Sequence, residues 1–211
     1  MTGKFITFEG IDGSGKTTQI NLLEQKLIQE DIPYEIFREP GGTILSEKIR
    51  EILLDRKNIE LSSVAESLLF VAARAQLFAE KINPALERNK FVICDRFADS
   101  TVAYQGYGRG LNVEYLEELN KFATNNIYPD FTIVLDVDPV KAAQRLQDTA
   151  FDRMESTGNN FFHKVQEGYY SIARHHSHRC VIIDSNRTPE NVFEDVYEEI
   201  NEKILKEMKC T

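Results

Sequence analysis

The chain has 211 residues, 42% of them apolar and 28% charged, with a formal net charge of −9. Such a length and balance predict a single domain, residues 1–211, with enough apolar side chains to bury a core. The acidic excess argues against nucleic acid or an anionic membrane as the main partner, and no apolar run is long enough to cross a bilayer.

Lys4 is followed at once by a strand-like run, Phe5 to Phe8, so no leader segment is expected. After a Gly-rich turn, Thr18 to Glu30 has helical character, and Tyr34 to Phe37 forms a short second strand. Leu45 to Leu54 places Ile49, Ile52 and Leu53 on one helical face. Ser62-Ser63 is a candidate cap for a long helix from Val64 toward Leu86, with Pro84 bending or restarting it. Phe91 to Cys94, Thr132 to Leu135 and Cys180 to Ile183 are continuous apolar runs, the signature of parallel strands buried on both faces. Further helices are predicted over Val113 to Thr124, Pro139 to Leu146, Phe161 to Ala173 and Pro189 to Lys209. Pro139 and Pro189 suit the first helical position, with Asp138 and Thr188 as caps. Gln147 to Asn160 is polar and ends in Gly158-Asn159-Asn160, which predicts a mobile lid. Cys94, Cys180 and Cys210 have neither metal-ligand spacing nor an even disulfide set, so a reduced, cytoplasmic setting is expected. Five strands alternating with helices predict an α/β fold: one parallel sheet covered by helices on both faces.

The turn after the first strand reads Gly10-Ile11-Asp12-Gly13-Ser14-Gly15-Lys16-Thr17, a complete Walker A pattern, continued by Thr18. Its glycines let backbone N–H groups turn toward phosphate oxygens, and the helix N-terminus adds a positive dipole end. Lys16 then reaches the β and γ phosphates of a nucleoside triphosphate, and the Thr17 hydroxyl is a ligand for Mg²⁺. Asp95, directly after a buried strand, sits where a second carboxylate ligand for that metal belongs. Arg38, Arg74, Arg96 and Arg153 lie near predicted strand ends and the lid, and each carries a planar fork suited to phosphate. No Asn-Lys-x-Asp sequence is present to read guanine, which disfavours a GTPase. A carboxylate at Asp12, inside a phosphate loop, repels the ligand unless it aims at an acceptor or a neighbouring arginine; the plain alternative is an Asp-Gly turn.

With these segments the chain resembles the bacterial thymidylate kinases over nearly its whole length. The matching stretches are Phe8 to Thr18, Arg38-Glu39-Pro40-Gly41-Gly42-Thr43, Leu69 to Arg74, Asp95-Arg96-Phe97, Ser100 to Gly106 and Tyr128-Pro129-Asp130. The resemblance implies a P-loop NTPase fold, a mobile lid and transfer of the ATP γ-phosphoryl group to dTMP. It implies that Asp12 contacts the dTMP sugar and the arginine network, and that Arg38 and Arg96 bind the dTMP phosphate. It also implies that Phe70 stacks on thymine and that Arg74, Thr101 and Gln105 meet the base edge. Tyr104 crowds the sugar in this comparison, and Arg50 adds to the base pocket. The family is generally a homodimer, which implies one here.

One branch of the family places an Arg in the phosphate loop where this chain has Gly13; the other supplies the cation from the lid. Phe151-Asp152-Arg153 matches the second branch, with Arg145 the alternative donor. Two other readings remain open on sequence: a kinase for a different nucleoside monophosphate, and an ATP-driven switch that needs no acceptor. The latter requires a group that positions water, and Asp95 is followed by Arg96 rather than a glutamate.

Overall fold

Strand β1, Lys4–Glu9, is the central strand of a five-stranded sheet. The computed structural model describes residues 3–58, 60–146 and 159–206. Most of the expected lid, Arg153 included, and the tail with Cys210 lie outside the described residues. β2 (Tyr34–Arg38), β3 (Phe91–Asp95), β4 (Phe131–Asp136) and β5 (Cys180–Asp184) complete the sheet in the order β2-β3-β1-β4-β5. Every pairing is parallel.

The apolar runs are continuous because each strand feeds two cores. Ile6 and Phe8 of β1, Phe91 and Ile93 of β3, and Phe131, Ile133 and Leu135 of β4 share one cluster with helices α1 (Lys16–Gln29) and α9 (Pro189–Ile200). The alternate residues point the other way. Phe5, Val92 and Cys94 pack with Leu77, Phe78 and Ile82. Val134 packs with Phe161, Val165, Tyr169 and Ile172 of α8 (Asn159–His175). Side chains alternate along a strand, so a sheet covered on both faces has no polar face to show.

The helix ends follow local chemistry. Ser62 caps α3 (Ser63–Leu77), Asp138 caps α7 (Pro139–Arg145) and Thr188 caps α9, each accepting a backbone N–H. Thr43 does the same for α2 (Ile44–Leu54), and Asn112 for α6 (Val113–Ala123). The long helix expected from Val64 toward Leu86 is divided: α3 runs into a wide π turn, Phe78–Ile82, and then α4, Asn83–Glu87, whose first turn holds Pro84. The widened turn accommodates a proline that cannot donate in the α pattern.

One helical segment differs from the sequence reading, which gave none between β3 and Val113. Short α5, Ala98–Thr101, continues into a second π turn, Val102–Gly108. Gly106 and Gly108 and the branched Thr101 and Val102 weaken the local helical signal. Packing supplies the rest: a Cβ on Gly108 would lie 2.6 Å from the Phe161 ring, so only glycine admits α8 this close.

Candidate active site

The carboxyl ends of β1 and β3 open on the same side of the sheet, because their parallel register pairs Phe8 with Asp95. A crevice outside the carboxyl ends of central strands is where open α/β sheets place ligands. β1 leads into the phosphate loop and α1. Gly10, Gly13 and Gly15 have positive φ, and Gly15, at φ 96°, precedes α1 directly. A Cβ on Gly10 would lie 2.5 Å from the Leu135 carbonyl oxygen, and one on Gly13 2.5 Å from that of Ala142.

Lys16 curls back over this loop, its Nζ donating to the carbonyls of Gly10 (3.2 Å) and Ile11 (3.0 Å). Burial and the nearby Arg96 charge bring its ammonium down to about 8. The Thr17 hydroxyl donates to Asp95 at 3.4 Å, so the two oxygens expected to share a metal ion are neighbours. Arg145 closes the far side, donating to Gly13 O and Ser185 O at 3.0 Å each.

β3 leads into Asp95-Arg96. Arg96 adopts φ 68°, a strained backbone for a non-glycine residue and of the kind that clusters at functional sites. Its guanidinium donates to Asp12 (2.6 Å) and to Gly10 O (2.8 Å), and it lies 5.0 Å above the Tyr104 ring. The Tyr104 hydroxyl donates to the other Asp12 oxygen at 3.2 Å. Burial pushes the Asp12 carboxyl up, but Arg96 and Lys16 outweigh it and hold Asp12 below its ordinary range. Asp12 thus turns toward Arg96 and Tyr104, which explains a carboxylate in a phosphate-binding loop.

Two cavities meet here. One is lined by Gly13, Gly15, Lys16, Thr17, Thr18, Arg38, Asp95 and Arg145. The second is lined by Phe70, Arg74, Ser100, Thr101, Tyr104 and Gln105. Asp12, Glu39, Arg50 and Arg96 belong to both. Two pockets with a common wall of cations and carboxylates suit transfer of an anionic group between two bound molecules.

Several expected residues sit differently from a simple ligand contact. Arg38 lines only the first cavity, where it binds both Glu47 oxygens at 2.9 and 3.0 Å. Arg74 is 1% exposed, and every guanidinium nitrogen has a protein partner: Glu39 (2.6 and 2.9 Å), Thr101 (2.9 Å), Asn120 (2.6 Å) and Phe97 O (2.9 Å). It builds the pocket wall, while Thr101, accepting from it, keeps a proton to donate. Arg50 donates to Pro40 O at 2.9 Å. Phe70 is only partly buried against Ile49, Leu53 and Ala73, and it lines the second cavity.

The sequence reading singled out neither Glu9 nor Glu39. Glu9 is fully buried at the end of β1, accepting from Phe97 N (2.8 Å), the Ser100 hydroxyl (2.6 Å) and Tyr169 (3.0 Å). Burial, with Asp99 nearby, pushes its carboxyl up to about 7. Glu9, like Asp95, is a carboxylate that ends an apolar strand beside a loop. Glu39 has one oxygen on Arg74 and the other buried without a partner. Burial raises its carboxyl against the pull of Arg74.

The raised Glu9 carboxyl sets a pH dependence. Folded Glu9 holds its proton up to about 7, whereas the unfolded residue loses it near the ordinary glutamate value of 4.5. The folded state therefore binds more protons in that window, and stability falls as pH rises through it. In Glu9→Gln this contribution vanishes, so its unfolding free energy relative to the parent chain is expected to improve steadily from about pH 4.5 to about pH 7. Urea unfolding at stepped pH measures the difference, and parallel profiles would refute the assignment.

The comparisons with known proteins identify the family. A family model described as thymidylate kinase matches residues 8–196. A thymidylate kinase of Caldanaerobacter subterraneus subsp. tengcongensis is 48% identical over 184 residues, 87% of this chain and 88% of the relative. One from Thermosipho africanus is 48% identical over 192 residues, 91% of this chain and 94% of the relative. The crystal structure of thymidylate kinase from Ehrlichia chaffeensis is similar with a TM-score of 0.75 at 38% identity, covering 95% of this chain and 99% of that one. With this match to the family model and these relatives, the chain belongs to the thymidylate kinase family.

Proposed function

We propose that the chain transfers the γ-phosphoryl group of ATP to dTMP, giving dTDP and ADP. The observation that carries this reading is the pair of cavities with Asp12, Glu39, Arg50 and Arg96 as their common wall. ATP takes the cavity of the phosphate loop, and dTMP takes the other. Phe70 stacks on thymine, Arg74, Thr101 and Gln105 shape the base edge, Arg50 adds to the base pocket, and Tyr104 crowds the sugar. The acceptor is already a phosphate oxyanion, so the reaction calls for positioning and charge stabilisation rather than a strong base. Arg96 lies where the two phosphates meet, and Arg38 joins it by exchanging Glu47 for a phosphate oxygen. Lys16 leaves its loop carbonyls for the β and γ phosphates.

The Thr17 hydroxyl and Asp95 carboxylate form a hard-oxygen pair that would hold Mg²⁺. Bound there with ATP, it would supply charge neutralisation for the phosphates. Arg153 supplies the lid cation in this reading. Arg153→Ala is expected to lower kcat by ~10² or more, as loss of an arginine finger does. Unchanged turnover would move the role to Arg145, which already reaches Gly13 O.

The working unit is a homodimer in the same reading. Ile44 and Ile52 of α2, Val64 and Leu68 of α3, and Phe122 of α6 are exposed apolar side chains, Ile44 at 80% and Phe122 at 85%. Such faces favour burial against a second copy, and light scattering distinguishes the mass of two chains from one.

The central experiment is ADP release from Mg·ATP with each nucleoside monophosphate offered in turn. Release that requires dTMP supports the reading. Turnover only with AMP or CMP overturns it, and ADP release without an acceptor indicates a switch.

A further inference from the structure

The amide of Gln105 is a two-ended group in the wall of the acceptor cavity. Gln105 is 1% exposed, yet it lines that cavity. An amide can present either its carbonyl oxygen or its NH₂ at one position, and the ends differ little in size. Whatever holds the far end therefore decides which chemistry the cavity shows. Here the holder is Glu66 of α3, itself 1% exposed, whose Oε1 accepts from Gln105 Nε2 at 2.9 Å. A carboxylate accepts and never donates when ionised, so it takes the NH₂ end and leaves the carbonyl for the other side. No donor among the described residues is paired with Gln105 Oε1, and that atom is not among the sealed, unpartnered ones.

Glu66 is itself braced. Arg109 donates to both its oxygens, at 3.2 and 3.3 Å, and stacks 4.7 Å from the Phe161 ring. The backbone is fixed by the π turn: Arg109 N donates to Tyr104 O at 2.9 Å, and Leu111 N to Gln105 O at 3.1 Å. Reversing the amide would set carbonyl against carboxylate and strand the NH₂ end, which costs a buried polar contact on each side.

We infer that Glu66, braced by Arg109, is a positioning residue that turns the Gln105 carbonyl into the acceptor cavity, so that the cavity selects a base presenting an N–H there. Thymine and uracil carry such an imide N–H at N3. Cytosine has a bare acceptor nitrogen at that position, and N3-methylthymine has a methyl group. A site built around one buried hydrogen bond rejects the analogue lacking it far more strongly than an apolar pocket rejects an isostere. The inference rests on dTMP being the acceptor.

Kinetics with dTMP, dUMP, dCMP and N3-methyl-dTMP test it. With the parent enzyme, kcat/KM for dCMP and N3-methyl-dTMP is expected to be at least ~100-fold below that for dTMP. In Glu66→Gln the orienting carboxylate becomes an amide that can itself donate. KM for dTMP is expected to rise about tenfold with little change in kcat, and the dTMP:dCMP preference to fall about tenfold. The dTMP:dUMP ratio should stay constant, since both bases carry the imide. In a Gln105→Ala background, Glu66→Gln should have no further effect on the dTMP:dCMP preference, because Glu66 acts through Gln105. Glu66→Asp, which keeps the charge but shortens its reach, gives the same shift if Glu66→Gln fails to fold. A folded Glu66 variant with an unchanged dTMP:dCMP ratio overturns the inference, as does a parent enzyme that uses N3-methyl-dTMP as well as dTMP. A parent enzyme with no dTMP turnover would instead remove the substrate reading beneath it.

Discussion

Arg96→Ala is expected to lower kcat by ~10³ or more, while the thermal midpoint moves little by comparison. Arg96 is, with Arg50, one of two cations in the wall common to both cavities. Both of these short bonds go to the phosphate loop, to Asp12 at 2.6 Å and to Gly10 O at 2.8 Å, so Arg96 holds that loop against the end of β3. Alanine removes the charge from the point of transfer and frees Asp12 to repel both phosphates. The backbone at φ 68° is as unfavourable for alanine as for arginine, so the substitution adds no backbone cost. Arg96→Lys keeps the charge but has no fork to span Asp12 and Gly10 O together, and it should recover only a small part of the rate. Steady-state kinetics beside a melting curve decide the matter. Near-parental kcat in a folded Arg96→Ala enzyme would remove Arg96 from the chemistry.

Lys16→Met is expected to cost a similar factor, ~10³ in kcat, with a different binding signature. Lys16 lines the phosphate-loop cavity only. Its ammonium rests on Gly10 O and Ile11 O, within reach of a phosphate chain laid along the loop. Methionine keeps length and apolar stem but loses the charge. Calorimetric titration should find dTMP affinity within about threefold of the parent, because the acceptor cavity keeps its own lining. An equal loss of dTMP binding would mean that Lys16 organises the whole crevice and not the donor half alone.

The phosphate-loop half of this site is legible in sequence because it is local. The Walker A stretch carries its glycines, its lysine and its threonine within one turn, and Asp95 follows a recognisable buried strand. The acceptor half is assembled from α2, α3, the β2–α2 loop and the π turn Val102–Gly108, so no single window displays it. Phe70 reads as core by composition, and its partial exposure to a cavity is settled by tertiary packing alone. Arg74 was selected as an arginine, but its complete burial depends on Glu39, Thr101 and Asn120, brought from three other places in the chain. The strands were found within a residue or two because two-faced burial leaves a continuous apolar run. The helix at Ala98–Thr101 and its π extension were missed because glycines there serve packing against α8 rather than local preference.

Gly13 bears on how this enzyme can change over generations. It holds φ 77° and stands against the Ala142 carbonyl of α7, where a Cβ would come to 2.5 Å. Gly13→Arg thus meets a left-handed backbone and a helix in its path before its guanidinium gains any phosphate oxygen. A cation in the loop and a cation in the lid are not neighbouring solutions joined by one substitution. The first step is downhill in fitness unless α7 has already drawn back, so the two arrangements are separated by a valley.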